Sequence, residues 1–303
     1  MLPKALICLS TYNGEPFLED LLVSLVSQHY SNWTCVVRDD GSNDGTWDIL
    51  SEYLNKYPRH FSLLSDREHV GWKESFKRLL DTAITEVKDA DYVFFCDQDD
   101  IWFPNKIEKM ISTAEEKDNC FLFSDLLVID EKGEKRYPSF FSLNAFSPER
   151  LTITSLCAHN PIPGMSMAVS YKLLTKILPI PKGVAFDWWV AVVSLLIGEV
   201  LCVPDQLAGY RVYGGNQVGV RSPYKAICYY ARRMKLAKKL VAESVEICEN
   251  LYHRFSDSLP SDLRYALQRF LSSRGIKRKI FSIKYNFLPQ HWIRKLGYIM
   301  LVE

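Results

Sequence analysis

The sequence predicts an α/β protein in which a mostly parallel sheet is flanked by helices and followed by a helical, basic C-terminal region. Three observations predict this fold class: short apolar runs alternate with helical periodicity, each early apolar run ends in polar residues, and the charge changes sign near residue 220. Of the 303 residues, 48% are hydrophobic and 24% are charged. These values are typical of a packed globular protein and exclude a disordered or fibrous chain.

The first 130 residues alternate between strand and helix patterns. Strands are predicted at residues 5–9, 33–37, 61–64, 92–96 and 121–129. Helices are predicted at residues 16–28, 44–56, 73–86 and 104–116, the last opened by Pro104 in its first turn. Strands that alternate with helices of about 10–15 residues form βαβ units, which predicts a mostly parallel sheet.

The next part of the chain is less regular. Residues 131–160 are predicted to be a polar connection, and residues 165–170 a strand. Residues 187–197 are an apolar helix whose one charged residue, Asp187, opens it. Two short strand-like pieces follow at residues 200–203 and 206–211, then a turn at residues 214–216. From residue 223 onward the pattern predicts long basic helices.

Charge divides the chain into two parts. Residues 1–220 hold 20 Lys and Arg against 30 Asp and Glu, whereas residues 221–303 hold 17 against 6. We therefore predict two domains, 1–220 and 221–303. The eight cysteines form no C-x-x-C pair, which disfavours a zinc ribbon and favours a reducing compartment without structural disulfides. No signal peptide or spanning segment is expected, because the longest apolar run, 188–203, is interrupted by Glu199.

Polar residues follow three of the predicted strands, at the carboxyl ends where α/β sheets bind ligands. The runs are Ser10, Thr11, Tyr12 and Asn13; Asp39, Asp40, Gly41 and Ser42; and Asp97, Gln98, Asp99 and Asp100. Two of the three runs are acidic.

The acidic run at residues 97–100 predicts a divalent-metal site. Three carboxylates at a strand end repel one another, and Mg²⁺ or Mn²⁺ offsets such charge with one or two protein carboxylates plus substrate phosphates. The alternative is a solvated turn with helix-capping aspartates. The run at 39–42 has two interpretations as well: ordinary turn chemistry, or a carboxylate that accepts a hydrogen bond from a nucleobase while Gly41 permits close approach.

Two later residues are candidates for chemistry. Asp187 lies in the run Phe-Asp-Trp-Trp, where partial burial between aromatic rings would raise its pKa and suit a general base. Alternatively, it only complements the helix dipole. Arg211, followed by a Gly/Asn-rich turn, could grip a diphosphate or form a surface salt bridge.

Together these motifs resemble the family 2 glycosyltransferases, which have the GT-A fold. The resemblance covers about residues 4–220 and rests on STYNG at 10–14, RDDGSNDGT at 38–46 and CDQDDIWFPNK at 96–106. The longer DQDDIW form, with DWW at 187–189 and Y-R-x-x-G-x-N at 210–216, is similar to the subgroup with bacterial rhamnosyltransferases of surface polysaccharide synthesis.

The resemblance implies an inverting hexosyltransferase that moves a sugar, rhamnose from dTDP-rhamnose, to a bacterial surface polysaccharide such as O-antigen or to a lipid-linked oligosaccharide. It implies a divalent metal, Mg²⁺ or Mn²⁺, at Asp99 and Asp97, and a catalytic base at Asp187. Asn160 and Gly164 resemble the N-x-x-x-G that precedes this base. The implied nucleotide-sugar contacts are Ser10, Thr11, Tyr12, Asn13, Asp40, Asp97 and Arg211.

Three positions depart from the subgroup pattern. Phe186 stands where histidine usually precedes D-W-W, and Tyr213 stands where histidine usually follows Y-R-x. The segment 68–76 reads EHVG…SF where N-x-G…N-F is usual. The donor sugar and the metal or diphosphate contacts therefore need separate tests. A non-catalytic nucleotide-sugar or glycan-binding module is the alternative, and it predicts binding without turnover.

The basic region 221–303 interleaves cations with aromatic residues, which suits an anionic membrane surface. We therefore expect a cytoplasmic protein held peripherally on the inner face of the cell membrane. The alternative is an ordinary helical subdomain with a solvated basic face, and an oligomer is compatible with either. A nucleic-acid partner is disfavoured because no base-stacking motif accompanies the charge. A phosphotransferase is disfavoured because no Walker-type loop is present.

Overall fold

The computed structural model describes residues 2–115, 117–213 and 234–302, and its centre is a mixed sheet flanked by helices. The described strands are β1 Ala5–Thr11, β2 Trp33–Asp39, β3 Phe61–Leu63, β4 Tyr92–Asp97, β5 Ile101–Trp102, β6 Cys120–Ile129, β7 Lys135–Tyr137, β8 Met167–Ser170 and β9 Glu199–Arg211. Their order across the sheet is β3-β2-β1-β4-β8-β6-β9-β5, and β7 pairs with β6. The predicted turn at 214–216 and the basic segment 221–233 lie outside the described residues.

The first half of the sheet is parallel, as the alternation of strands and helices predicts. Strand β1 lies between β2 and β4, and both neighbours run in its direction. Ser10 pairs in register with Arg38 on one side and with Asp97 on the other. The three polar runs therefore leave the sheet at one edge, where side chains from different loops can meet.

The second half of the sheet is mixed, because β8 lies antiparallel between β4 and β6. The two strand-like pieces predicted at 200–203 and 206–211 are one strand, β9. Its register with β6 shifts between Val203, which pairs with Ser124, and Gln206, which pairs with Asp125. Pro204 lies in this bulge, where a residue without an N–H costs no ladder hydrogen bond.

Eight helices occur among residues 2–115 and 117–213. They are α1 Glu15–Val26, α2 Thr46–Lys56, α3 Trp72–Glu86, α4 Lys106–Ala114, α5 Phe140–Leu143, α6 Ile153–Ala158, α7 Tyr171–Ile177 and α8 Phe186–Ile197. The expectation of a polar connection at 131–160 was wrong, since β7, α5 and α6 lie there. Short apolar clusters such as Phe140-Phe141 and Leu156-Cys157 are buried, but they are too short to give a periodic signal.

Helix α8 lies inside the protein. Eight of its residues, from Phe186 to Ser194, are buried, and the helix contacts α3, α6 and α7 as well as strands β6 and β9. A helix that is apolar on all sides must be covered on all sides. Asp187 is its only ionisable residue, in the first turn, so burial of the helix determines where this carboxylate lies.

The C-terminal region is helical over residues 234–302, as predicted. Its helices are α9 Met234–Phe255, α10 Ser261–Ser272, α11 Ile276–Lys284 and α12 Trp292–Leu301. Helix α9 packs against α6 as well as against α10 and α12. Among the described residues, no helix combines the length and the apolar character needed to cross a membrane.

Arg254, near the end of α9, fastens this region to the rest of the protein. Its guanidinium donates to the carbonyl oxygens of Ile177 at 2.8 Å, Pro179 at 2.9 Å and Lys176 at 3.0 Å, and also to that of Leu178. These carbonyls end helix α7, where the last four C=O groups have no partner within the helix. A cation at this end also complements the helix dipole.

We predict that Arg254→Ala lowers the free energy of unfolding by about 1–3 kcal/mol, because hydrogen bonds from a charged donor are lost together. Urea unfolding followed by circular dichroism measures this. Arg274→Ala, at an exposed arginine of the same region, is the matched control. Equal unfolding midpoints for the two variants would show that Arg254 does not fasten the region.

Candidate active site

The loop after β1 is tied to the loop after β4. Gln98 accepts from the backbone N–H of Tyr12 at 2.8 Å through Oε1, and it donates to the carbonyl of Tyr12 at 2.9 Å through Nε2. Ser10 Oγ lies 2.6 Å from the hydroxyl of Ser75 on α3, and Thr11 Oγ1 donates to Asp39 Oδ1 at 3.0 Å. Ser10 and Thr11 therefore bind neighbouring elements, while the Tyr12 ring stays exposed.

The same loop is tied to the loop after β2 through Asn13. Its backbone has φ +47°, a left-handed conformation that asparagine tolerates better than most residues. Its N–H donates to Ser42 Oγ at 2.9 Å, and its Oδ1 accepts from the N–H of Asn43 at 3.0 Å. All three predicted loops are thus connected, and Tyr12 lies above them with its ring stacked on His69 at 4.4 Å.

Asp40 lies beneath this stacked pair. Its carboxylate accepts from Arg38 Nη1 at 2.7 Å and from the backbone N–H groups of Val70 at 3.0 Å and Gly71 at 2.9 Å, and it is only 2% exposed. In this structure Asp40 therefore anchors the segment that carries His69. That it also binds the nucleotide base stays a prediction.

Gly41 allows the chain to approach this segment. Its φ is +79°, and a Cβ at this position would lie 2.9 Å from the carbonyl oxygen of Arg67. Any side chain would therefore meet both backbone strain and a steric clash. The close approach seen at Gly41 is to the protein backbone, and an approach of a nucleobase to this residue stays a prediction.

Three carboxylates meet at the end of β4. Asp97 and Asp99 are half-buried, and Asp100 is buried. Burial raises the pKa of Asp97, and the charges of Asp99 and then Asp187 raise it further. Burial also raises the pKa of Asp99, partly offset by the hydroxyl of Tyr213, which donates to Asp99 Oδ2 at 2.8 Å. Because the charge of Asp187 raises the pKa of Asp97, Asp187 lies within electrostatic range of the acidic run at residues 97–100.

These carboxylates fit a divalent cation. Asp100 Oδ1 accepts from the N–H of Arg211 at 2.9 Å, but the buried Oδ2 has no hydrogen-bond partner within the described part of the chain. Across residues 2–115, 117–213 and 234–302, no group of three or more His, Cys, Asp or Glu side chains is arranged as a metal cage. The two partly exposed carboxylates, Asp97 and Asp99, are the small oxygen set that Mg²⁺ combines with substrate phosphates.

Arg211 lies beneath the acidic loop. Its Nε donates to the carbonyl of Asp99 at 2.8 Å, Nη1 donates to the carbonyl of Glu131 at 2.6 Å, and Nη2 donates to Asp20 Oδ2 at 2.8 Å. The side chain is fully buried, so the structure does not bring its guanidinium to the cleft surface. Arg211 supports the loop that holds Asp99, and a diphosphate contact from this residue stays a prediction.

Asp187 is the second residue of helix α8 and is half-buried. Its Oδ1 accepts from the N–H of Trp188 at 2.8 Å, and its Oδ2 accepts from Asn160 Nδ2 at 3.3 Å. Asn160 is itself fixed by the backbone of Ile162, through bonds of 2.9 and 3.0 Å. Burial raises the pKa of Asp187 to about 6, a value suited to a general base near neutral pH.

Phe186 sets the start of this helix. Its ring stacks on Phe76 at 4.1 Å and lies 5.2 Å from Phe95. A Cβ on Gly164 would come within 2.7 Å of the ring, so only glycine leaves room for it. The aromatic residue at 186 is therefore part of the apolar packing that orients Asp187.

Sequence reasoning missed Glu243, which comes from α9 and reaches the start of α8. Its Oε1 accepts from Lys73 Nζ at 2.6 Å and from the backbone N–H of Ala185 at 2.7 Å. The side chain is 6% exposed. Within an amphipathic helix this glutamate resembles any solvated residue, so no sequence signal could have identified it.

Two buried cations were also missed. Arg38 is fully buried and bonds to Asp40, Ser75 and Asp66. Lys106 is fully buried beneath the acidic loop, with Nζ 2.9 Å from the carbonyl of Met165, and burial lowers its pKa to about 8. A charged residue within or beside an apolar run was the available signal in both cases.

Sequence comparisons identify relatives of this chain. The profile of the family "Glycosyl transferase family 2" matches residues 6–175. The dTDP-rhamnosyl transferase RfbG of Shigella flexneri is 31% identical over 43% of this chain and 43% of its own length. The EpsE glycosyltransferase of Bacillus subtilis is 30% identical over 43% of this chain and 46% of its own length, so the matches span less than half of these relatives. An uncharacterized glycosyltransferase of Haemophilus influenzae is 23% identical over 94% of this chain and 91% of its own length.

Structural comparisons agree with these matches. TarS of S. aureus in complex with UDP-GlcNAc superimposes with a TM-score of 0.55 at 18% identity, covering 98% of this chain and 84% of that one. The mannosyltransferase PcManGT of Pyrobaculum calidifontis, in complex with GDP-Man and Mn²⁺, gives a TM-score of 0.59 at 17% identity, covering 99% and 85%. These likenesses confirm the GT-A fold, and the family match over more than half of the chain shows that this protein belongs to the family 2 glycosyltransferases.

Proposed function

We propose that this glycosyltransferase moves a sugar, with inversion, from a nucleotide-sugar donor to a bacterial surface polysaccharide or lipid-linked oligosaccharide. The observation that carries the proposal is Asp187, a carboxylate with a pKa raised to about 6 that lies within electrostatic range of the acidic run after β4. The match to RfbG supports dTDP-rhamnose as the donor. The nucleotide sugars bound by TarS and PcManGT support the donor class more broadly.

The donor is proposed to bind across the three connected loops. Tyr12 presents an exposed ring stacked on His69, a surface suited to the nucleotide base. Ser10, Thr11, Asn13 and Asp40 hold this surface in place, and Asp97 and Asp99 face the diphosphate. When bound at Asp97 and Asp99, Mg²⁺ or Mn²⁺ supplies positive charge that stabilises the leaving nucleoside diphosphate.

Transfer follows from the position of Asp187. Its carboxylate accepts the proton of the acceptor hydroxyl as the hydroxyl oxygen forms a bond to the anomeric carbon. The bond between that carbon and the diphosphate oxygen breaks at the opposite face, so the configuration inverts. Asn160, which donates to Oδ2, keeps the carboxylate in one orientation. No covalent enzyme intermediate is required.

We also propose that the acceptor is met at the inner face of the cell membrane, where the C-terminal region holds the protein peripherally. The net charge of +11 in residues 221–303, against −10 in residues 1–220, supports this. A lipid-linked acceptor would lie at that surface, so membrane attachment would raise its local concentration.

We predict that kcat/KM rises with pH through about 6 and then levels, because Asp187 acts only when it is deprotonated. Asp187→Asn should abolish this acidic limb and reduce kcat by about 10²–10⁴-fold while preserving donor binding. Steady-state rates between about pH 5 and 8 measure the pH dependence of kcat/KM. Calorimetric titration with the nucleotide measures donor binding.

Asp118→Asn, at an exposed carboxylate paired with Lys172, is the control for Asp187→Asn. Its pH profile should match that of the unmodified protein. If Asp187→Asn keeps a near-normal rate across this range, another group removes the proton.

We predict that Asp99→Ala removes metal-dependent donor binding and turnover while leaving the fold intact, because this half-buried carboxylate lies in the loop after β4 and outside the apolar core. Calorimetric titration with a nucleoside diphosphate, with and without Mn²⁺, measures the loss. Asp89→Ala, at an exposed carboxylate paired with Lys4, should leave both unchanged. Undiminished turnover in EDTA would contradict the metal proposal.

We predict that Glu243 positions Asp187 and that Glu243→Ala lowers kcat more than it changes the donor KM. The variant leaves Lys73 and the N–H of Ala185 without their buried acceptor, which also lowers the free energy of unfolding by about 1–3 kcal/mol. Glu243→Gln keeps an acceptor for Ala185 and should recover part of kcat. Glu249→Ala, exposed on the same helix, is the control. A change confined to the donor KM would assign Glu243 to donor binding instead.

A further inference from the structure

We infer that helices α11 and α12 form a surface that inserts its apolar side chains into an anionic lipid bilayer. This deepens the proposed function, since it names the part of the protein that would bring the site to a lipid-linked acceptor. The inference is carried by three observations: apolar stripes on the outward faces of both helices, contact between the helices, and the absence of Asp and Glu from residues 263–302.

The first stripe lies on α11. Ile276, Ile280 and Ile283 are 76%, 56% and 56% exposed, and their i, i+4, i+7 spacing places them on one face of the helix. The opposite, buried face holds Arg278 and Ser282. This is the reverse of the usual pattern for a surface helix, in which the apolar face is buried and the polar face is solvated.

Arg278 shows that the arrangement of α11 is fixed by specific bonds. Its Nε donates to the carbonyl of Ser273 at 2.9 Å and to that of Phe270 at 3.2 Å, and its guanidinium lies over the ring of Phe270 at 5.3 Å. Ser282 Oγ, also buried, donates to the carbonyl of Arg278 at 2.9 Å. Rotating the helix to bury its isoleucines would expose this network, so the outward apolar face is part of the folded structure.

The second stripe lies on α12. Trp292, Leu296 and Met300 are 63%, 54% and 68% exposed and occur on successive turns of the helix. Tyr298 points to the other side, where its hydroxyl lies 2.8 Å from Ser244 Oγ of α9. A tryptophan at the end of such a stripe is typical of side chains that lie at the membrane interface.

The two helices are neighbours. They contact each other, and Lys279 Nζ of α11 donates to the carbonyl of Met300 in α12 at 3.0 Å. The stripes therefore belong to adjacent helices whose opposite faces are packed against the protein. Exposed apolar side chains that cluster in this way mark an interaction site.

Charge identifies the partner of this surface. Residues 263–302 contain no Asp or Glu, yet they contain nine Lys and Arg. The cations are Arg264, Arg269, Arg274, Lys277, Arg278, Lys279, Lys284, Arg294 and Lys295. Lys277 and Lys284 are exposed on α11, beside the isoleucine stripe. An apolar face bordered by cations matches a bilayer with anionic headgroups.

A second copy of the chain fits this surface less well. Pairing two such surfaces would bring two sets of cations together with no carboxylate from residues 263–302 to offset them. Like charges brought together at an interface are unfavourable. An acidic protein partner would satisfy the cations but would leave two apolar stripes to be matched by a separate surface. The bilayer satisfies both requirements at once.

Vesicle co-sedimentation of the full-length chain tests the inference. The protein should bind phosphatidylcholine vesicles that contain phosphatidylglycerol, and binding should weaken in high salt because screening shortens the reach of each charge. Ile280→Glu combined with Leu296→Glu should reduce this binding at least about tenfold, since charge replaces inserted apolar surface. Val23→Glu combined with Leu240→Glu, also at exposed apolar helix positions, is the matched control and should bind normally.

Two further variants separate the charge from the insertion. Lys277→Gln combined with Lys284→Gln should weaken binding to anionic vesicles. Tryptophan fluorescence should be quenched by bromine-labelled acyl chains, and Trp292→Phe should remove most of that quenching. Transfer to a water-soluble acceptor should remain unchanged in all of these variants, so a failure of membrane binding is distinguishable from a failure of the proposed reaction.

Three results would overturn the inference. The first is normal vesicle binding by Ile280→Glu with Leu296→Glu. The second is equal binding to neutral and anionic vesicles. The third is a dimer in sedimentation velocity that this double variant dissociates while no form binds vesicles, which would make a second copy of the chain the partner.

Discussion

Crowding of three carboxylates at the end of β4 is the constraint on which the rest of the site depends. Asp97, Asp99 and Asp100 lie within four residues, and burial raises the pKa of each. The charges of neighbouring carboxylates raise the pKa of Asp97 and Asp100 further. The protein offsets part of this charge with the N–H of Arg211, the hydroxyl of Tyr213 and the buried ammonium of Lys106. The N–H of Arg211 donates to Asp100 and the hydroxyl of Tyr213 donates to Asp99, whereas Lys106 acts on Asp100 through its charge. The remaining charge faces the cleft, where a cation and a diphosphate are proposed to bind.

The C-terminal region also contacts the helix that carries the proposed base. Helix α8 is apolar on all sides, and its first turn, with Asp187, is held by the N–H of Trp188 and by polar groups that reach it from neighbouring elements. Asn160 reaches it from the segment before β8, and Glu243 reaches its start from α9. The C-terminal region, residues 234–302, therefore contacts the start of the helix that carries the proposed base. Its inner face contributes Glu243, and its outer face carries the two apolar stripes.

Much of the fold was predictable because periodicity and polar strand ends are local properties of the sequence. The parallel half of the sheet and the meeting of residues 10–13, 39–42 and 97–100 follow from the βαβ rule, and the register of Ser10 with Arg38 and Asp97 confirms it. Helices α5 and α6 were missed because they are too short to show a period. Glu243 and Arg38 were missed because their roles depend on tertiary contacts. Arg211 was recognised as important, but its burial beneath the loop could not be derived from its neighbours in sequence.

Two of the three departures from the subgroup pattern, Phe186 and Tyr213, have a common physical consequence. Phe186 replaces a titratable ring with an apolar one, and its stacking between Phe76 and Phe95 gives that position a purely packing role. Tyr213 replaces the other histidine, and burial followed by the charge of Asp99 raises its pKa, so its hydroxyl remains a neutral donor to Asp99. A histidine at either position would change charge near neutral pH. With neither present, these two positions do not change charge near neutral pH, whereas Asp187, whose pKa burial raises to about 6, does.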